Sequence, residues 1–222
     1  GMPRIAPGIV IGRGAADMKG ALASMVYAAR ALAESNQPLN GTLVLAMVVQ
    51  EEPCEGLAIR HIIEQGGIRP QWVVLGEATG LQLARGQRGR VEFEVSVHGR
   101  PCHASAPRLG VNAIYQATRL VMGLELLAPQ LNGDSFLGQG TLAVTQIDSA
   151  AGSRNAVPDR CTLLVDRRLT IGETEAKALA ELKRVITREE LDATILVPDL
   201  HLTSYTGLVS EARAAFPFWL TP

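Results

Sequence analysis

Apolar residues run without a break from Leu43 to Val49 and again from Trp72 to Leu75, and acidic residues follow each run: Glu51-Glu52 after the first, Glu77 after the second. A continuous apolar run of this kind predicts a strand covered on both faces, as in a parallel sheet. Ile9-Val10-Ile11 predicts the end of another buried strand. Between residues 19 and 34, Leu22, Met25, Val26, Ala29, Leu32 and Ala33 recur at helical spacing. Residues 57–65 carry a second helical pattern, closed by the stop signal Gly66-Gly67. Strands alternating with helices predict right-handed parallel crossovers, and such sheets place ligands beyond the carboxyl ends of their strands. Asp17, Glu51, Glu52 and Glu77 all fall there.

From Arg90 the period changes to two. Val91, Phe93, Val95 and Val97 alternate with Arg90, Glu92, Glu94 and Ser96, which predicts a strand with one wet face. A helix over 111–127, strands near 142–147 and 161–169, a helix over 174–190 and a strand at 194–197 complete the order βαββαβ, a ferredoxin-like unit. The expected fold class is α/β, with a first domain over 1–88, an inserted ferredoxin-like domain over 89–199, and a return into the first domain over 200–222. The aromatic tail containing Phe216, Phe218 and Trp219 is expected to pack there.

Composition removes several function classes. Lys plus Arg number 21 against 22 for Asp plus Glu, a formal net charge of -1, so no overall basic field attracts nucleic acid or an anionic membrane. Cys54, Cys102 and Cys161 are odd in number and contain no Cys-x-x-Cys pair, which argues against a disulfide framework and a thiolate zinc site. No apolar stretch reaches the roughly 20 residues that cross a bilayer, and the start lacks a signal-peptide core. A reducing, cytoplasmic setting is expected.

Carboxylates gathered in one crevice raise each other's pKa unless a divalent cation compensates them. Asp17, Glu51, Glu52 and Glu77 therefore point to a metal pocket and hydrolysis, although each alone reads equally well as a turn, capping or solvated residue. Gly76, next to Glu77, permits close backbone approach. The Gly12-Arg13-Gly14 turn has neither the Gly-Lys-Ser/Thr of a phosphate loop nor a third glycine at dinucleotide-binding spacing, so nucleotide binding is rejected. His103 reads as a loop histidine. Asn155 and Arg168 read either as turn and strand-surface residues or as binders of a substrate carboxylate, which suits a guanidinium fork.

The combination says more. In chain order, Gly12-Arg13-Gly14-x-x-Asp17-Met18-Lys19-Gly20, Glu51-Glu52, Gly76-Glu77-x-Thr79, Gly99-x-x-x-His103-Ala104-Ser105-x-Pro107, Asn155-x-x-Pro158 and Asp166-x-Arg168 resemble the M20 metallopeptidase family, which includes acetylornithine deacetylase, succinyl-diaminopimelate desuccinylase, aminoacylases and carboxypeptidases. The resemblance covers essentially the entire chain. It implies a partial zinc-peptidase-like α/β catalytic domain carrying a ferredoxin-like lid and dimerisation domain. It further implies two zinc ions bridged by Asp17, with Glu52 on one and Glu77 on the other, and a cis peptide at Asp17-Met18. Glu51 becomes the general base and acid, His103 the stabiliser of the oxyanion, and Asn155 and Arg168 the holders of a substrate carboxylate or oxyanion. The implied substrates are peptides or N-acylated amino acids, cleaved at a carbon–nitrogen bond beside a carboxylate, by a homodimer.

The chain also departs from that pattern. Family members carry His-x-Asp before the Gly-Arg-Gly motif and a further His ligand towards the end, and none of the four histidines here, His61, His98, His103 and His201, stands at either place. Catalytic zinc normally rests on three protein ligands. The expectation is a fragment, a mis-started frame or a degenerate relative that carries the architecture with little or no activity by itself. The competing expectation is a non-catalytic dimerisation or ligand-binding module.

Overall fold

In the computed structural model, which describes residues 2–54 and 56–221, the chain divides into two units. Residues 1–84 with 202–210 form one, and residues 85–201 with 211–222 form the other.

In the first unit, β1 (Arg4–Ala6) and β2 (Ile9–Ile11) pair as an antiparallel hairpin around Gly8, whose positive φ of 75° suits a residue without Cβ. Helices α1 (Gly20–Glu34), α2 (Glu51–Cys54) and α3 (Leu57–Glu64) follow. The helical spacing thus becomes helix, but no parallel pairing of strands is present among the described residues. Residues 42–49 and 72–75 join no ladder among the described residues, and their side chains lie open, with Leu43 52% and Trp72 90% exposed. Ile9 to Ile11 are likewise exposed rather than buried. The physical reason is that a run apolar on every position records neighbours on both faces and both edges. Those neighbours are not among the described residues of this unit, so the pattern is present without its burial. The loop over 202–210 is tied in by the Tyr205 N–H, which donates to Gln50 Oε1 at 2.6 Å, and by a hydrogen bond from Arg60 to Ser210 Oγ.

The second unit keeps the predicted order: β3 (Gly89–His98), α4 (Ala113–Leu127), β4 (Thr141–Asp148), β5 (Arg160–Leu169), α5 (Glu175–Arg188) and β6 (Ala193–Leu196). The sheet order is β6-β3-β5-β4, and β3–β5, β5–β4 and β6–β3 are all antiparallel. Register places Val97 opposite Cys161, Val95 opposite Leu163 and Phe93 opposite Val165, all six fully buried. This apolar face meets Ala113, Ala117, Leu120 and Leu124 of α4 and Ala178, Leu182 and Val185 of α5. Asn112 starts α4, its Oδ1 accepting from the Ile114 and Tyr115 N–H groups, and Thr174 Oγ1 does the same for Lys177 at the start of α5.

Strand β6 covers β3 only from Glu94 to Val97, which leaves backbone open at Arg90 and Val91. Ala215–Phe216 fill that gap, and the Arg90 guanidinium lies 5.1 Å from the centre of the Phe216 ring. Trp219–Leu220 pair with Gly86–Gln87. The aromatic residues at 216–219 therefore pack on the second unit, while residues 202–210 group with the first.

Candidate active site

Asp17 lies in a π-type turn, Ala15–Lys19, just before α1, and the Asp17-Met18 peptide is cis. Glu51 and Glu52 open α2, immediately after Gln50, which has a positive φ of 58°. Glu77 follows the second apolar run, and its Oε1 accepts from the Ala78 N–H at 3.1 Å. Gly76 is packed hard: a Cβ there would come within 2.8 Å of both Ala21 Cβ and Met18 Cε, and within 2.9 Å of Met25 Cε. A side chain at position 76 would have to displace Ala21 Cβ and the ends of Met18 and Met25, so the close approach expected of this glycine is present. Asp17, Glu51, Glu52 and Glu77 are all exposed. Among the described residues, no three His, Cys, Asp or Glu side chains come together to hold a metal ion.

In the second unit two candidate residues are brought together. Cys102–His103 pair antiparallel with Ala156–Val157, His103 opposite Ala156, and the Ala104 N–H donates to the Asn155 carbonyl at 2.7 Å. His103 thus lies in this short ladder, and Asn155 sits in the turn that leads into the facing strand. Arg168 stands elsewhere, on the polar face of β5, opposite Arg90. Its Nε and Nη2 donate to the two carboxylate oxygens of Asp166 at 2.8 and 3.1 Å. That two-pronged pair leaves the outer edge of the guanidinium to receive a further carboxylate. Sequence reasoning gave no role to Asp166, although its i,i+2 spacing from Arg168 already places both on one strand face.

A family model for the peptidase dimerisation domain matches residues 85–194, the stretch that folds as βαββαβ. A succinyl-diaminopimelate desuccinylase from Alkalilimnicola ehrlichii is 27% identical over 226 residues, 96% of this chain and 60% of that protein. Residues 85–194 belong to the M20 peptidase dimerisation-domain family. The uncharacterized protein YgeY of Escherichia coli K12 is 42% identical over 211 residues, 95% of this chain and 52% of that protein. Among solved structures, the aminopeptidase PepT from Bacillus cereus shares the fold, with a TM-score of 0.62, 18% identity, and coverage of 100% of this chain and 55% of that one. The chain therefore spans about half the length of these relatives.

Asp17, Glu52 and Glu77 are exposed carboxylates on separate elements and of the right chemical type for a divalent cation, but among the described residues no three such donors are drawn together as a catalytic zinc centre needs. Among the described residues no helix is long and apolar enough to cross a membrane.

Proposed function

We propose that this chain carries the motif-bearing part of a metal-dependent hydrolase of amide bonds in peptides or N-acylated amino acids, and that its 222 residues alone turn over such substrates slowly or not at all. The observation that carries this reading is the ordered motif set from Gly12 to Arg168 in an M20 fold. The relative named as a succinyl-diaminopimelate desuccinylase supports this bond class. Asp17, Glu52 and Glu77 are this chain's contribution to a donor set that they do not fill by themselves. Glu51 takes a proton from the attacking water and returns it to the leaving nitrogen, so the carbonyl carbon gains an oxygen as its bond to nitrogen breaks. The His103 ring N–H stabilises the oxyanion formed in between, and Asn155 and the outer edge of Arg168 hold the substrate carboxylate.

A hybrid tests this: residues 2–221 joined to the flanking regions of the Escherichia coli relative, assayed with dipeptides and N-acetyl and N-succinyl amino acids in the presence of zinc. The hybrid is expected to release free amine while the 222-residue chain does not. Rapid turnover by the chain alone, or none by the hybrid, overturns the proposal.

The dimerisation-domain match also supports a homodimer formed through the second unit. Tyr115, Met122 and Leu126 lie exposed along one side of α4, and β4 is the edge strand of the sheet among the described residues. The chain is expected to sediment as a dimer. Met122→Lys places a charge in that apolar strip and is expected to weaken the dimer by about tenfold or more. A monomer in the wild type, or no change in the variant, removes this surface from the assembly.

A further inference from the structure

The loop that carries His103 closes on itself through Ser105. The Ser105 backbone N–H donates to His103 Nδ1 at 3.2 Å, and Ser105 Oγ lies 2.7 Å from the same nitrogen. A neutral imidazole nitrogen holds either a proton or an in-plane lone pair. With a proton on Nδ1, that proton and the Ser105 N–H would point at each other. With a lone pair there, the N–H has its acceptor, and the hydroxyl, whose hydrogen rotates freely, turns to donate as well. The single ring proton then sits on Nε2. Rotating the ring away would forfeit both contacts, and the loop itself is fixed: the Ala106 N–H donates to the His103 carbonyl at 2.9 Å, and Ala104 is bonded to Asn155.

We propose that Ser105 is a positioning residue that holds His103 in the Nε2–H tautomer, so that the outward nitrogen is a hydrogen-bond donor. This rests on the reading of His103 as the oxyanion stabiliser. An oxyanion needs a donor facing it, whereas the opposite tautomer presents a lone pair and repels it. The same ring with its proton on the wrong nitrogen is a poor stabiliser even when correctly placed.

The test is long-range proton–nitrogen correlation spectroscopy on the nitrogen-15-labelled chain, with the His103 signals identified by their loss in His103→Gln. The wild type is expected to show a protonated Nε2 and an unprotonated Nδ1. Ser105→Ala is expected to move both resonances towards an average of the two tautomers, and Ser105→Thr to leave them in place. A wild-type ring protonated at Nδ1, or a Ser105→Ala spectrum like the wild type, overturns the proposal. In the hybrid enzyme, Ser105→Ala is expected to lower kcat about tenfold with KM little changed, less than the 10²–10³ lost when an oxyanion donor is removed outright, and Ser105→Thr to restore it. A hybrid that hydrolyses nothing overturns the functional reading, while the spectra still decide the tautomer, so the two failures are told apart.

Discussion

Replacing Arg167 with methionine will destabilise the second unit by about 3–5 kcal/mol, because it leaves two carboxylates buried without their cation. Arg167 is on β5, opposite Val91, and points to the helix-covered side of the sheet, where it is 0% exposed. Its Nη2 donates to Glu173 Oε1 at 2.7 Å, while Nε and Nη2 both donate to Glu181 Oε2, at 3.2 and 3.1 Å. Glu173 is itself committed, since its Oε2 accepts from the Thr170 N–H at 3.0 Å. Lys177, half in solvent, approaches Glu173 Oε1 at 3.9 Å and supplies the remaining positive charge only weakly. Gly140 makes room for this group: a Cβ there would come within 2.5 Å of Arg167 Nη1 and 2.9 Å of Glu173 Oε2. Denaturant unfolding followed by amide exchange at Phe93 and Val165 checks the value. Substituting all three members together, Arg167→Met, Glu173→Gln and Glu181→Met, is expected to recover most of the loss, to within about 2 kcal/mol of wild type. A loss below about 1 kcal/mol in the single variant would show that water reaches the group and screens it.

That buried trio also shows where the sequence was hard to read. Arg167 and Arg168 are adjacent, and the alternation of β5 sends one into the core and the other onto the polar face. The apolar positions Val91 to Val97 fixed the inward parity of β3, and Cys161, Leu163 and Val165 that of β5, so the ferredoxin-like unit was legible from period alone. A buried arginine answers to the same parity, but composition gives no sign that Glu173 and Glu181 will meet it. In the first unit the difficulty is reversed. Residues 43–49 and 72–75 carry the pattern of covered strands, and α1 and α3 form where helical spacing places them, yet those two segments join no sheet among the described residues and stand open. Pattern records the environment in which a segment is meant to be buried, whereas the fold shows only the neighbours that are there. The same holds for the site. A close approach at Gly76 could be read from a glycine beside Glu77, though not that Met18, Ala21 and Met25 are what it meets, and the ladder that brings His103 next to Asn155 could not, because it depends on two loops separated by α4, β4 and their connections.

In the hybrid enzyme, Glu51→Gln will lower kcat by about 10²–10⁴-fold, the range carried by a positioned proton acceptor and donor. Glutamine keeps the size and the hydrogen-bonding reach of the side chain but accepts no proton from the attacking water and has none to give to the departing nitrogen. Binding should change little, because the residues assigned to the substrate carboxylate, Asn155 and Arg168, are untouched; KM within about threefold of wild type is the expected companion result. The placement of Glu51 allows this separation. It is exposed at the first position of a four-residue helix rather than in a packed core, and glutamine keeps its shape there. Steady-state kinetics across several acyl groups, with circular dichroism to confirm the fold, decide the matter. A kcat within tenfold of wild type would remove Glu51 from the proton path and shift the base assignment to its neighbour Glu52, whereas a rise in KM at constant kcat would make Glu51 a binding group and not the base.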